Sequence, residues 1–297
     1  MPPLLLSPVA GDPWAARLAA TLGWEEGRLE LRRFPDGETY LRFDTPPAGR
    51  EVVLAASLDR PDPKLPGLLF AAATARELGA ARVGLVAPYL PYLRQDCRFR
   101  PGEAVTARCF GHLLSGAVDW LVTVDPHLHR IASLGEVFAI PATAVPSAPV
   151  LAAWIAGNVP RPVVVGPDAE SEQWVAAVAG LAGAPYRVLA KERRGDRDVS
   201  VGGADLSGLE GRTPVLVDDI LSTGRTLVEA VRCLRAAGLP PPVCLVVHAL
   251  FSDEAGAALR EAGADRVVTA NTVTHPSNKV DLAAAIAEAC RAFVPEA

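Results

Sequence analysis

The sequence predicts an α/β fold with mainly parallel sheets, and three observations support this prediction. Short runs of apolar, often β-branched residues recur along the chain, and they are nearly continuous, as in strands covered on both faces. Ala- and Leu-rich stretches of helical period lie between them, and several of these stretches end in glycine, a common helix terminator. Strand and helix in alternation define an α/β fold. The apolar runs are EVVLAAS at 51, VGLVAPYL at 83, WLVTVDPH at 120, PVVVGPD at 162, PVLVDDI at 214, PVCLVVHAL at 242 and RVVTA at 266.

Two such series follow each other, with a seam near TAVPSAPVLAAWI, residues 143–155. We therefore expect two domains, 1–145 and 146–297, each a mainly parallel sheet flanked by helices. The length of 297 residues and the 50% hydrophobic content allow two domains with sizeable cores. The last part of the chain, after residue 280, predicts one more amphipathic helix.

Composition argues against several classes of protein. A net charge of -5 is unsuited to binding nucleic acid through bulk electrostatics. No apolar run approaches the length that spans a bilayer, and the opening segment MPPLLLSPVAGDPW lacks the basic start and apolar core of a secretion signal. The five cysteines are scattered without CxxC spacing, which fits a reducing compartment. We expect a cytoplasmic protein with no nucleic-acid or membrane partner.

Polar groups follow four of the predicted strands. Ligands of open parallel sheets bind beyond the carboxyl ends of the strands, so these segments are candidates for a functional site. They are PYLPYLRQDCRF at 88, DPHLHR at 125, PDAESEQW at 167 and DDILSTGRT at 218.

The last of these segments has the features of a phosphate-binding turn. Backbone N–H groups at the start of a helix, together with the helix dipole, attract phosphate. Asp218 and Asp219, just before the turn, could hold paired sugar hydroxyls or waters on Mg²⁺. An aspartate cap followed by an ordinary turn is the structural alternative. The residues of the predicted phosphate-binding turn are Ser222, Thr223, Gly224, Arg225 and Thr226.

VLVDDILSTGRTL resembles the phosphoribosyl pyrophosphate signature, and the rest of the chain resembles the ribose-phosphate pyrophosphokinase family over nearly its whole length. The resemblance implies two tandem phosphoribosyltransferase-like domains. It also implies transfer of pyrophosphate from ATP to ribose 5-phosphate, with Mg²⁺ as cofactor. The other matching segments are RRFPDGETYLRF at 32, PYLPYLRQDCRFRPGEAVTARCFGHLLS at 88, TVDPHLHRI at 123, VVVGPD at 163 and AKERRGDRDV at 190.

The family resemblance also implies roles for single residues in the chemical step. His127 and Asp168 match its metal-associated residues, with His129 as a second choice. Lys191 and Arg193 match its mobile catalytic loop, where cations meet the transferring phosphates. Without the resemblance, a lone histidine is more often structural, and KERRGDRD is more often a solvated run of charges.

The same resemblance implies an ATP site. Arg94 and Gln95 match nucleotide contacts, and Asp36, Gly37 and Glu38 match a loop that reaches the adenine in a neighbouring subunit. A homo-oligomer with a shared ATP site is therefore expected. A plain PDG turn between two strands is the alternative for this loop.

Three departures from the family pattern bear on regulation and donor choice more than on the reaction itself. After Asp168, AESEQW replaces the frequent glycine pair. Cys97 stands where the family usually has a basic residue, and Arg225 replaces the second glycine of its TGGT loop. An enzyme that consumes phosphoribosyl pyrophosphate is one alternative. A catalytically silent regulatory homologue is another, although such a protein would be expected to lose the loop cations or the doubled aspartate.

Overall fold

The computed structural model describes residues 1–128, 130–193, 199–202 and 206–294, and for 190–193 and 199–202 it describes the backbone alone. The chain forms two compact units. Unit 1 comprises Met1–Val145 together with the C-terminal segment that starts at Ala283, and unit 2 is Pro146–Leu282. None of the helices in these ranges has the length and apolar character needed to cross a bilayer.

Unit 1 is built on a parallel sheet of six strands in the order β2-β1-β5-β6-β7-β8. The central residues of its four inner strands are buried, as the continuous apolar runs predict, while the two edge strands are largely accessible. In chain order its elements are β1 (Leu4–Leu6), α1 (Trp14–Leu22), β2 (Glu25–Glu26), β3 (Leu29–Arg33), β4 (Thr39–Phe43), β5 (Glu51–Ala55), α2 (Leu65–Glu77), β6 (Arg82–Ala87), α3 (Thr106–Ala117), β7 (Trp120–Val124) and β8 (Ala142–Val145).

Unit 2 repeats this plan with a parallel sheet in the order β10-β9-β13-β14-β15-β16. Its elements are α4 (Ala148–Asn158), β9 (Pro162–Gly166), α5 (Glu172–Ala182), β10 (Tyr186–Val188), β11 (Ala190–Arg193), β12 (Val199–Gly202), β13 (Thr213–Leu221), α6 (Arg225–Ala236), β14 (Val243–Ala249), α7 (Asp253–Glu261), β15 (Arg266–Ala270) and β16 (Asn278–Val280). The parallel α/β architecture predicted for each half is confirmed.

Each unit also carries an antiparallel hairpin outside its main sheet. Strands β3 and β4 form the first, and β11 and β12 form the second. The apolar pattern does not reveal either of them, since their sequences carry charged residues at many positions, as in LELRR of β3. The PDG segment between β3 and β4 is the turn between strands that the sequence allows.

Strand β13 is longer than its apolar run suggests. PVLV predicts a strand that ends before the doubled aspartate, but the strand continues through Asp218 and Asp219 to Leu221. The reason is its neighbour β14, which stays in register with it, pairing Asp218 with Val246 and Leu221 with Ala249. On the other side, pairing with β9 ends at Leu216, so the last part of β13 has a neighbour on one side only.

The C-terminal helix α8 (Ala283–Arg291) confirms the amphipathic helix predicted there, but it belongs to unit 1. Phe293, just after it, stacks on Trp120 with ring centroids 4.9 Å apart. The Arg82 guanidinium donates to the Phe293 carbonyl oxygen at 3.1 Å. The sequence predicted a second domain of residues 146–297, which would include this helix. The contacts instead place the helix with unit 1.

Candidate phosphate and nucleotide sites

Three carboxylates meet at the carboxyl edge of the unit 2 sheet. Asp168 follows β9, and Asp218 and Asp219 lie in the neighbouring strand β13 beyond its last pair with β9. The Asp219 backbone N–H donates to Asp218 Oδ1 at 3.0 Å. Burial, then the charge of Asp219, then the charge of Asp168 raise the pKa of Asp218 well above its ordinary value. This cluster therefore has a strong electrostatic preference for a bound cation or hydrogen-bond donor.

Asp168 is held by its own backbone turn. Its carboxylate caps the short 3₁₀ helix Ala169–Ser171 by accepting from the Glu170 N–H at 3.2 Å, and the Ser171 hydroxyl donates to its carbonyl oxygen at 2.6 Å. Gly166 allows the turn to fold back, because a Cβ there would lie 2.4 Å from Ser171 Oγ. AESEQW thus forms an ordered helix entry after the strand.

The predicted phosphate-binding turn connects β13 directly to α6. Gly224 is the N-cap residue in the left-handed conformation, with φ of 74°, and its carbonyl accepts from the Val228 N–H at 2.8 Å. Arg225 and Thr226 are the first residues of the helix, so their N–H groups have no partner within it. Ser222 and Thr223 lie in the bend before the cap; Ser222 is half-buried and Thr223 is exposed.

The departure at Arg225 leaves the shape of this turn intact. The conformation that requires glycine occurs at Gly224, which the chain keeps. Arg225 is the first helical residue and its side chain is exposed. Its guanidinium therefore adds positive charge at the start of α6, next to the favourable end of the helix dipole for an anion.

The catalytic residues expected from the resemblance lie in the unit 2 hairpin. Lys191 pairs with Val201 and Arg193 with Val199 in the antiparallel β11–β12 ladder. Residues 194–198, which follow β11 in the sequence, lie outside the described part of the chain, as do the side chains of Lys191 and Arg193.

In unit 1, the predicted adenine loop is the exposed turn of the β3–β4 hairpin. Gly37 has φ of 94°, and its N–H donates to the Phe34 carbonyl at 2.9 Å. The Asp36 carboxylate accepts from the Glu38 N–H at 3.1 Å. Asp36 and Glu38 are both exposed, so the tip of this hairpin is accessible to a ligand or to another subunit.

Arg94 and Gln95 lie in the long segment between β6 and α3. Arg94 is exposed and Gln95 is half-buried, with its carbonyl accepting from the Ala107 N–H at 3.3 Å. The next residue, Asp96, is paired with Arg130, whose backbone and guanidinium N–H groups both donate to its carboxylate at 3.2 Å. Burial would raise the pKa of Asp96, but these bonds outweigh it and hold the pKa below its ordinary value.

This Asp96–Arg130 pair is a positioning contact that sequence reasoning missed. It ties the segment with Arg94 and Gln95 to the segment that follows β7, 34 residues further along the chain. The Asp96 side chain is only 3% exposed, and that burial is the signal that it holds the segment in place. The aspartate in RQD hinted at it, but nothing in the sequence identified Arg130 as its partner.

His127 follows β7, in a segment whose backbone is strained. Asp125 has φ of 30°, in a region that side chains other than glycine rarely adopt, and its N–H donates to Val145 at 3.2 Å. His127 itself is half-buried, and His129 lies outside the described residues. His127 belongs to unit 1 and Asp168 to unit 2. Among the residues described, no group of three or more His, Cys, Asp and Glu side chains could hold a metal ion.

Comparison with known proteins gives consistent matches over both units. Residues 4–117 match the model of the N-terminal domain of ribose phosphate pyrophosphokinase, and residues 148–285 match the phosphoribosyl transferase domain. A ribose-phosphate pyrophosphokinase of Methanopyrus kandleri is 36% identical, covering 96% of this chain and 98% of its own. The Halobacterium salinarum enzyme of the same name is 34% identical, covering 96% and 100%.

A solved structure agrees with the fold as well. Phosphoribosylpyrophosphate synthetase from Mycobacterium smegmatis superposes with a TM-score of 0.82 at 27% sequence identity. The match covers 98% of this chain and 99% of that chain, so both units and their connections are included.

Proposed function

Because the chain belongs to the ribose-phosphate pyrophosphokinase family, we propose that it transfers the β,γ-pyrophosphoryl group of ATP to the 1-hydroxyl of ribose 5-phosphate. The products are phosphoribosyl pyrophosphate and AMP. The hydroxyl oxygen forms a bond to the β-phosphorus, and the bond from that phosphorus to the bridging oxygen of AMP breaks. The observation that carries the proposal is the doubled aspartate of β13 beside the helix-entry turn of α6.

In this proposal the turn binds the 5-phosphate and the aspartates bind the ribose. The free N–H groups at the start of α6 and the hydroxyls of Ser222, Thr223 and Thr226 offer donors to phosphate oxygens. Asp218 and Asp219 accept hydrogen bonds from the ribose hydroxyls. Bound hydroxyl donors stabilise the charged form of Asp218, which burial disfavours in the ligand-free protein.

Magnesium fits the carboxylates of unit 2. Asp168 and Asp218 lie close enough for one to raise the pKa of the other, and oxygen ligands of this kind suit Mg²⁺. The ion keeps several waters and needs few protein ligands. When bound, it neutralises charge on the phosphates. Asp168 and His127 are the proposed metal-associated residues.

Lys191 and Arg193 are the proposed catalytic cations. Negative charge grows on the oxygen that leaves with AMP, and fixed or mobile cations stabilise it. Lysine acts as a point charge, and arginine can donate to two oxygens at once. The support for this role is their position in the hairpin inserted between β10 and β13, together with the family match.

ATP is proposed to bind through Arg94 and Gln95 and through the hairpin tip formed by Asp36, Gly37 and Glu38. The exposure of that tip supports a contact with a second subunit, and we propose a homo-oligomer in which ATP sites are shared. A fully active monomer, identified by sedimentation at assay concentration, would contradict the sharing. The scattered cysteines support a cytoplasmic location.

A nucleotide assay tests the reaction directly. Pure protein is mixed with Mg-ATP and ribose 5-phosphate, and AMP is separated from ADP. We expect AMP that appears only when the sugar phosphate is present. ADP instead of AMP would contradict the proposed mechanism. No turnover, with phosphoribosyl pyrophosphate still bound, would favour a regulatory homologue or an enzyme that consumes this compound.

A further inference from the structure

Helix α7 and the segment after β15 enclose a cleft of about 270 Å³ in unit 2. It lies on a different face of α7 from Ala255, which is the residue of that helix nearest Gly224 of the phosphate-binding turn. The proposed reaction uses none of the cleft residues. They are Phe251, Asp253, Gly256, Arg260, Val267, His275, Pro276 and Ser277.

The α7 side of the cleft combines an open floor with an available cation. Asp253, Gly256 and Arg260 are spaced at i, i+3 and i+7 and form one stripe of the helix. Gly256 is buried and has no side chain, and a Cβ there would lie 3.3 Å from the Phe251 ring and 3.6 Å from an Arg260 guanidinium nitrogen. In the described part of the chain, no carboxylate pairs with Arg260.

The opposite side supplies a neutral hydrogen-bond donor. The Ser277 backbone N–H donates to His275 Nδ1, with 3.2 Å between the two nitrogens. Because Nδ1 is the acceptor, the ring proton of the neutral imidazole is on Nε2. Burial lowers the pKa of His275, more than the charge of Asp253 raises it. The ring packs against Phe251 with centroids 4.3 Å apart, and this contact fixes its position.

We propose that this cleft binds a small organic monocarboxylate with an apolar body. The carboxylate pairs with the Arg260 guanidinium, whose planar fork matches two carboxylate oxygens, and with the imidazole N–H of His275. The apolar body lies over Gly256 against Phe251 and Val267. Asp253 also lines the cleft, and its charge reaches His275, so further negative charge is disfavoured and the site favours a monoanion over a phosphate dianion.

The size of the cleft is consistent with such a ligand. A cavity of about 150 Å³ lined by apolar side chains holds benzene. The cleft exceeds this volume by roughly the space that a carboxylate and its first waters require. Benzoate is therefore a suitable probe, since it carries one negative charge on a flat apolar ring.

The experiment follows the ring signals of His275 by NMR while benzoate is added to the full-length protein. His275→Gln assigns the signals. We expect a saturable shift that ribose 5-phosphate does not reverse. Arg260→Gln should weaken binding about tenfold or more, because a charge-assisted hydrogen bond is lost. Arg291→Gln, an exposed arginine of unit 1 paired with Glu288, is the matched control and should leave binding unchanged.

Gly256→Ala provides a second test that does not remove charge. The added methyl group occupies the floor of the cleft and lies 3.3 Å from the Phe251 ring, so binding should weaken without any change of charge. Thermal unfolding of the variant checks that the fold accommodates the methyl group. Absence of a saturable shift at benzoate concentrations of roughly ten times a millimolar Kd would overturn the proposal. Equal weakening by Arg260→Gln and Arg291→Gln would also overturn it. Because no turnover is measured, either result is independent of the proposed reaction.

Discussion

The two units share one topology but differ where their third sheet strand ends. In each unit the chain forms two adjacent strands, adds an antiparallel hairpin, and then returns to the sheet beside the first strand. That returning strand is β5 in unit 1 and β13 in unit 2, and a helix follows it in both cases. The same framework therefore offers two strand-to-helix connections whose chemistry can be compared.

In unit 1 this connection is closed by its own side chains. Lys64, the N-cap residue of α2, donates to the Ser57 carbonyl at 2.9 Å and to Asp59 at 2.6 Å. The ammonium group lies at the helix end where the dipole favours an anion, and Asp59 supplies that anion from within the chain.

In unit 2 the corresponding helix start is built differently: its N-cap is Gly224 in the left-handed conformation, although neither helix start has a side-chain cap hydrogen bond. Near this helix start, burial and the charges of Asp219 and Asp168 raise the pKa of Asp218 well above its ordinary value. The comparison shows that the fold supplies a potential anion site in both units. The two strand ends differ in a few residues on one framework, and function can be decided there.

The largest expected effect concerns the hairpin of unit 2. Lys191→Ala in the unit 2 hairpin should lower kcat about 100- to 1,000-fold, because a cation that stabilises transition-state charge is lost. Tm should not change. Lys279→Ala removes an exposed lysine of β16 in the same unit and should leave kcat unaltered. Steady-state kinetics and thermal unfolding of both variants check this, and a Tm decrease typical of a core mutation in Lys191→Ala would contradict the assignment.

The next prediction compares the loss of one carboxylate charge near the end of each of the two returning strands. Asp219→Asn should reduce kcat/KM for ribose 5-phosphate about 10- to 100-fold, since one charge-assisted hydrogen bond to the sugar is weakened. Asp59→Asn should leave kcat/KM unchanged and lower the free energy of unfolding by about 1–3 kcal/mol, because Lys64 loses its partner. Kinetics and urea unfolding of the two variants measure this. Unchanged kinetics in Asp219→Asn would remove that residue from the site.

A smaller effect on KM is expected when the left-handed glycine of each proposed substrate loop, Gly224 or Gly37, is replaced by alanine. Alanine in this conformation costs about 1–2 kcal/mol. Gly224→Ala should raise KM for ribose 5-phosphate several-fold, and Gly37→Ala should raise KM for ATP. In both places a Cβ meets no atom closer than 3.5 Å, so the cost is conformational and not steric. If both variants changed the same KM, the division of substrates between the loops would be wrong.

Much of this organisation could be predicted from sequence because the central strands are buried on both faces. All seven apolar runs contain strands of the two sheets, and the helix after residue 280 is present. Periodicity shows which face of such a helix is buried but not what covers it. For α8, the partner depends on Phe293 meeting Trp120, far away in the chain. The extension of β13 through Asp218 likewise depends on register with β14, which local composition does not show.

The candidate site was predictable only in part, for the same reason. The doubled aspartate and the helix-entry turn lie close together in the chain, so a local pattern identifies them. Asp96 and Arg130 are separated by 34 positions and lie in segments without regular structure. Their pairing follows from the path of those segments over the sheet edge, which no pattern of period 2 or 3.6 records.

The smallest expected effect tests this ion pair of unit 1. Arg130→Gln should lower the free energy of unfolding by up to about 1 kcal/mol at neutral pH, since Arg130 is largely exposed. The pKa of Asp96 is lower in the folded state, so the stabilisation is complete above its unfolded value of about 3.9 and disappears as the pH falls through the folded value. Urea unfolding of the native and variant proteins should therefore differ near about pH 7 and converge near about pH 3. Arg108→Gln, an exposed arginine of α3, is the control and should show no pH-dependent difference. A difference for Arg130→Gln that stays constant across this range would mean that the arginine acts by packing against Phe99, 5.3 Å away, instead of through the carboxylate.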